Sequence, residues 1–418
     1  MTGPPGLARR LGTTDAVVIG LGSMIGAGVF TAFAPAAQAA GAGMLIGLAV
    51  AALVAYCNAT SSAQLAAAYP TSGGTYTYGR ERLGAWPGFI AGWGFVVGKT
   101  ASCAAMALTF AAYAVPAGWQ RPVAVIAVVC LAAVNYRGVM RTAALTRIIV
   151  GLVLLALAVT VAASLGGGQT EASGLSGWTA PTGGVLGVLQ SAGLLFFAFA
   201  GYARIATMGE EVREPQRTIP RAILIALGAT VVVYAVVAVS VLLALGPAGV
   251  SASNAPLAEA VSAGSWDWAV PVVRFGAAAA ALGALLALIA GIGRTGLAMA
   301  RHDDLPRWLS AVHPRFGVPH RAEIVLAVVV CLLILVVDLR GAIGFSSLGV
   351  LVYYLIANLS ALTQPAADRR YPRALQILGA LGCVILVVTL PTTTVLIGLG
   401  VFAVGLAYRF VRLRLTRS

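Results

Sequence analysis

Lys99 is the only lysine among 418 residues, and it falls near the middle of a long apolar run. An ionisable group at mid-membrane is costly and marks a functional site by default. A desolvated lysine can release its proton, whereas an arginine stays charged. Lys99 is therefore a candidate coupling or charge-compensating group. A structural role, capping the carbonyls of a broken helix or snorkelling, remains open beside it.

A second candidate is a stretch rather than a residue. Gly20, Gly22, Gly26 and Gly28 interrupt the first apolar segment, and each costs a helix roughly 1 kcal/mol relative to Ala. In lipid, broken backbone survives only where it lines a cavity or is buried in protein. A half-helix starting after the break offers free N–H groups and a positive dipole end to an anion. Ser23, Met24, Ile25, Gly26, Ala27 and Gly28 therefore form a candidate carboxylate site. The same glycines would also serve close helix packing.

The elements that must position these residues are membrane spans. The chain is 60% hydrophobic and 10% charged, with a mean hydropathy of +0.93. Soluble domains carry about 25% charged residues, and a span needs about 20 mostly apolar residues. Twelve such segments are expected, at 15–40, 42–66, 86–113, 122–138, 143–164, 183–207, 220–246, 270–299, 322–338, 341–362, 374–390 and 392–411. The fold expected is an all-α integral membrane protein of 12 transmembrane helices, with no room for a soluble domain. The five cysteines are isolated within apolar spans and give no disulfide framework or metal spacing.

The net charge of +14 is a topology signal rather than a sign of nucleic-acid binding. With the N-terminus inside, the loops holding Arg9, Arg10, Arg80, Arg82, Arg137, Arg141, Arg213, Arg217, Arg301, Arg307, Arg315, Arg369, Arg370, Arg412 and Arg414 share one side. Only Arg121, Arg274 and Arg340 fall on the other. The positive-inside rule then places both termini in the cytoplasm of a plasma (inner) membrane protein.

Spans one and six are each the first of a set of five. Five is odd, so the sets enter from opposite sides, as in a five-plus-five inverted repeat with broken helices one and six. The division is residues 1–14 as N-terminus, 15–164 and 183–365 as the repeats, 165–182 as an outer loop and 366–418 as two further helices and C-terminus. Span six carries Phe196, Phe197, Ala198, Phe199, Ala200, Gly201 and Tyr202, with a second possible break at Gly201. Past it come Arg204 and the acidic pair Glu210 and Glu211. An Arg204–glutamate pair would lock an inner gate, and a cation there would disfavour cationic substrates. Asp15 opens span one as a helix cap. His302, His313 and His320 read as gate or packing groups, so no metal and no cofactor are expected.

Three segments together resemble the amino acid–polyamine–organocation transporter superfamily, closest to its bacterial cationic amino acid transporter-like branch. They are Gly22–Phe30, the run Phe196–Tyr202 leading through Glu210–Arg217 to Ile219-Pro220, and Arg294 with Ala298–Arg301 and Asp304–Pro306. Asn135–Gly138 fits as well. The resemblance covers roughly residues 12–365. It implies a secondary transporter working by alternating access, with an amino acid held between unwound spans one and six. The amides of Ile25 to Gly28 would face the carboxylate. Carbonyls near Phe197, Ala198 and Ala200 would face the amino group, and Phe196, Phe197 or Phe199 would supply an aromatic gate. Relatives often carry a lysine in span five; here that position is about Val153, and Lys99 is the candidate replacement. The span-eight run Ala287–Gly293 has no Ser or Thr, so no sodium site is expected, leaving proton coupling or exchange.

A polyamine or organic-cation transporter of the same fold is the alternative, although a polyamine would leave the amides of residues 25–28 without an anion. A non-transporting sensor and a membrane enzyme are further readings. The paired acids an enzyme would need, Glu210-Glu211 and Asp303-Asp304, sit among arginines and fit salt-bridged gating better. No Gly-x-x-x-x-Gly-Lys-Ser/Thr motif is present.

Overall fold

The computed structural model describes residues 11–70, 73–138, 143–168, 170–179, 181–209 and 211–415. Glu210, Arg9, Arg10 and Arg141 lie outside the described residues. Those described form helices and no strand; Leu11 and Val212 make an isolated parallel bridge.

Helices α1 (Thr13–Met24), α2 (Ala27–Thr31) and α3 (Phe33–Ala40) make the first span, and α4 (Met44–Ala68) the second. A short α5 (Gly74–Leu83) precedes α6 (Ala85–Ala114), α7 (Gln120–Tyr136) and α8 (Ala143–Gly166). The sixth span is α9 (Gly184–Phe199) with α10 (Ala203–Ala206). Then come α11 (Pro215–Ala252), α12 (Pro256–Ser262), α13 (Val270–Arg301), α14 (His320–Val336), α15 (Leu339–Leu362), α16 (Arg373–Thr389) and α17 (Thr392–Leu415). Ten helical stretches among the described residues are long and apolar enough to cross a membrane. Two further helices, α14 and α16, have 17 residues each, at the lower limit of about 17 residues for a span.

The seventh span starts before the expected 220–246 and kinks at Gly246, where two helices meet, and its two internal prolines are compensated. Pro215 starts α11 at a position suited to its fixed φ. Pro220 has no N–H to give the Gln216 carbonyl, and the Arg370 guanidinium donates to that carbonyl at 2.8 Å. Pro247 likewise leaves the Leu243 carbonyl unserved, and the Glu171 amide donates to it at 3.0 Å. The kink itself falls at Gly246, with φ +64°. Asp15 is not the N-cap of α1. Gly12 holds that position, and Asp15 in the first turn accepts from the Gly12 amide at 3.3 Å and pairs with Arg147.

Helices α6 and α15 are the most buried spans, while α7 and α17 are the least. The first two meet through glycines: a Cβ on Gly98 would lie 3.0 Å from the Gly349 Cα, and one on Gly349 would lie 2.6 Å from the Gly94 carbonyl. Small residues permit such backbone approach in lipid. Large apolar side chains such as Ile126, Val232, Leu332 and Leu396 stay exposed on the outer faces, where lipid covers them.

One end of the bundle is rich in arginine and is closed by Asp304. Its buried carboxylate accepts from Arg80 at 2.9 Å and the Tyr76 hydroxyl at 2.8 Å, and it pairs with Arg409. This ties α5, the turn after α13 and α17 together. It also explains why residues 74–83, expected to be loop, are helical: Tyr76 and Tyr78 are both buried anchors.

Candidate functional site

The first break lies at Ile25-Gly26. Helix α1 ends at Met24, Gly26 leaves helical geometry with φ −94° and ψ −138°, and α2 begins at Ala27. Ala32 keeps right-handed helical angles and joins α2 to α3, so the second half-helix is continuous. The first amides of a helix have no partner within it, which leaves Ala27 and Gly28 N–H groups facing the break. Ile25 is a correction: its amide donates to the Leu21 carbonyl at 2.7 Å and is already used. The Ser23 hydroxyl is also satisfied, donating to the Ile19 carbonyl at 2.9 Å.

The second break is tighter than full unwinding. Helix α9 passes at Phe199 into a 3₁₀ turn over Ala200–Tyr202 before α10. Glycines bring the two breaks together. A Cβ on Gly28 would lie 2.6 Å from the Ala198 Cα, and one on Gly201 would lie 2.2 Å from the Ser23 carbonyl oxygen. Helix α1 packs along α10, and α2 along α9, so the broken spans run antiparallel.

Two side chains from elsewhere hold this crossing. The Tyr234 hydroxyl of α11 lies 2.5 Å from the Met24 carbonyl and 3.0 Å from the Ala198 carbonyl. Lys99 of α6 is buried, and its Nζ donates to the Ala200 carbonyl at 3.3 Å. The Tyr354 hydroxyl donates to the same carbonyl at 3.4 Å. The Ala198 and Ala200 carbonyls, expected to face a substrate amino group, thus already hold protein donors.

Between the breaks is a cavity of about 110 Å³, several times the ~10–15 Å³ a single water needs. Of the residues singled out in the sequence, Ser23, Met24, Gly26, Ala27, Gly28, Lys99, Phe197, Ala198, Ala200, Gly201 and Arg204 line it. Ile25, Phe196, Phe199, Tyr202 and Glu211 do not. Phe199 packs on Tyr234 with ring centroids 5.1 Å apart, and Phe196 on Tyr354 at 5.8 Å. Tyr202 stacks on Tyr354 at 4.9 Å. Of the three phenylalanines considered as a gate, Phe197 is the one at the cavity. The expected Arg204 gate pair is not formed with Glu211, whose main-chain carbonyl instead accepts the Leu11 amide at 3.1 Å; Glu210 lies outside the described residues.

Phe95, Ser102, Met106, Thr207, Ala284, Leu288 and Arg294 also line the cavity and were not assigned to it from sequence. The α6 members had a legible signal, since positions 95, 99, 102 and 106 share one helical face. The α13 members had none.

The cavity runs from the breaks toward the arginine-rich end, past Phe95, Arg204 and Thr295. Tyr113 of α6 is tied by hydrogen bonds to α2, α12 and α13. Its hydroxyl donates to the Phe30 carbonyl at 2.8 Å and accepts the Leu257 amide at 3.4 Å, and its own carbonyl accepts from Arg274 at 3.1 Å. Among the described residues no cluster of His, Cys, Asp and Glu could hold a metal ion.

Residues 11–408 match the model of the family described as amino acid permease. An uncharacterized transporter of Mycobacterium tuberculosis is 60% identical over 414 residues, covering 99% of this chain and 93% of its own length. Cationic amino acid transporter 7, chloroplastic, of Arabidopsis thaliana is 28% identical over 379 residues, covering 84% of this chain and 65% of its own. The branched-chain amino acid permease BcaP of Bacillus subtilis is 24% identical over 441 residues, covering 98% and 94%. A match that takes in both broken spans, Lys99 and the helices around the cavity leaves one assignment: the chain belongs to the amino acid permease family.

Proposed function

We propose that this amino acid transporter works by alternating access around the cavity between α1–α2 and α9–α10. The substrate carboxylate meets the Ala27 and Gly28 amides, and Phe197 borders the site. The observation that carries this reading is the convergence of both helix breaks on one cavity. Residues 15–164 and 183–365 act as the two moving repeats, with 366–418 outside them. The arginine-rich end faces the cytoplasm of the plasma membrane together with both termini, so the cavity is in an inward-facing arrangement.

Coupling is to protons or by exchange of one amino acid for another. Lys99 is the coupling group, because it is buried at the cavity and donates to a neutral carbonyl. The polyamine reading loses support, since the charged side chains at the cavity are cations. The test is counterflow of a labelled amino acid into proteoliposomes. Accumulation that stops in the Gly28→Val variant supports the reading; a protein that binds amino acids without moving them is a sensor instead.

A further inference from the structure

Three charged side chains line the cavity, Lys99, Arg204 and Arg294, and all are cations. Among the described residues no Asp or Glu lines it. Lys99 donates to the neutral Ala200 carbonyl. Arg204 has no carboxylate within ion-pair distance among the described residues; Arg294 repels it, and Glu211 attracts it from farther away. Two acids act on these cations without lining the cavity: Glu211 on Arg204, and Glu323 of α14, packed against the backbone of Gly293 on the other side of α13, on Arg294. Among the described residues neither Lys99 nor Arg204 has a carboxylate within ion-pair distance, and the cavity wall itself carries cations alone.

Placing a cation in a low-dielectric site costs several kcal/mol unless it is paired. Like charge also excludes a cationic ligand. An α-amino acid with a neutral side chain does little for such a site, since its own ammonium cancels its carboxylate. An amino acid with a second carboxylate supplies the missing charge. The geometry gives that group a place: Arg204 is three residues past Gly201, about 5 Å along the helix axis at 1.5 Å per residue. This is the reach of a short side chain extending from the breaks toward the arginine-rich end.

We propose that the cavity selects an acidic amino acid, with Arg204 receiving the side-chain carboxylate and Lys99 compensating charge beside the breaks. This rests on the amino acid reading above and narrows it to a substrate class. The carboxylate chemistry is shared by dicarboxylates without an amino group, so glutarate is included as a separate arm.

The experiment uses the purified full chain. Thermal shifts and competition against counterflow are measured with glutamate, aspartate, glutamine, asparagine, leucine, lysine and glutarate, on wild type and on Arg204→Gln and Arg204→Lys. Both variants must melt like wild type without ligand; where Arg204→Gln does not, Arg204→Lys and the wild-type ligand series decide. Glutamate or aspartate should bind at least about tenfold more tightly than the matching amide. Arg204→Gln should lose that preference while still binding glutamine, and Arg204→Lys should keep part of it. Equal or tighter binding of glutamine, leucine or lysine by wild type overturns the acidic class and leaves amino acid transport standing. Binding of glutarate in place of glutamate overturns the need for an amino group. No response to any amino acid overturns both readings.

Discussion

The Nζ of Lys99 lies 3.3 Å from the carbonyl oxygen of Ala200, which joins the chain's one lysine to the turn that interrupts its sixth span. The contact serves two functions that a pair of substitutions separates. In Lys99→Gln an amide N–H can still donate to Ala200, but no proton can be exchanged. In Lys99→Ala both are lost. Uptake into proteoliposomes should fall in both variants and become independent of pH. Wild-type uptake and pH response in Lys99→Gln would show that the lysine is only a cap for the broken helix.

The glycines of the crossing differ in how little room each has. A Cβ on Gly28 meets backbone at 2.6 Å, and one on Gly201 meets backbone at 2.2 Å, whereas one on Gly26 meets only the Ala284 methyl at 3.0 Å. Overpacking of a rigid contact costs about 1–3 kcal/mol, and here it also pushes the two breaks apart. Gly28→Ala and Gly201→Ala should abolish substrate binding while Gly26→Ala keeps much of it, measured by ligand-induced thermal shift. An equal loss at all three positions would mean that the space around Gly26 is itself part of the substrate's volume.

Tyr234 is the joint of the same crossing. Its hydroxyl is the donor between the Met24 and Ala198 carbonyls, both at the ends of broken backbone. A buried acceptor left without its donor costs about 1–3 kcal/mol. Tyr234→Phe keeps the ring on Phe199 and removes only the hydroxyl. It should lower the melting temperature and weaken substrate binding together. A variant with unchanged binding would show that water replaces the hydroxyl.

Much of this arrangement could be read from sequence, and the limit is physical. Length and hydropathy mark the spans, because lipid demands long apolar runs with satisfied backbone. Four glycines point to the first break, although Gly20 and Gly22 lie within α1 and serve close packing against Ile205 and Val150, and only Gly26 sits at the break. What hydropathy does not encode is rotation. A helix apolar on all sides, such as α13, gives no sign of which face meets the cavity, so Ala284, Leu288 and Arg294 were not assigned. The same ambiguity made Phe199 look like a gate because it adjoins the break, whereas its ring points onto Tyr234. Arg204 and Glu211 are near in sequence and interact electrostatically without closing to ion-pair distance, while the Glu211 main chain accepts the Leu11 amide.

The arginine-rich end should depend on its two neighbouring acids in different ways. Asp304 is buried beneath Arg80, Arg409 and Tyr76, and removing one partner of a buried charge cluster costs about 3–5 kcal/mol. Asp304→Asn should therefore melt well below wild type at neutral pH. Asp303 is partly exposed, and Arg307 beside it, donating at 2.5 and 2.8 Å, holds its carboxyl below the usual carboxylate range, with Arg412 adding to the effect. A lowered folded-state value means that its contribution is present above the ordinary carboxylate range and is lost as pH falls through the folded value. Asp303→Asn should then resemble wild type under strong acid and differ only above it, in hydrogen exchange at the end of α17 held by Arg412. A difference that persists below the folded value of Asp303 would assign the effect to the turn geometry of this residue, whose φ is +63°, rather than to its charge.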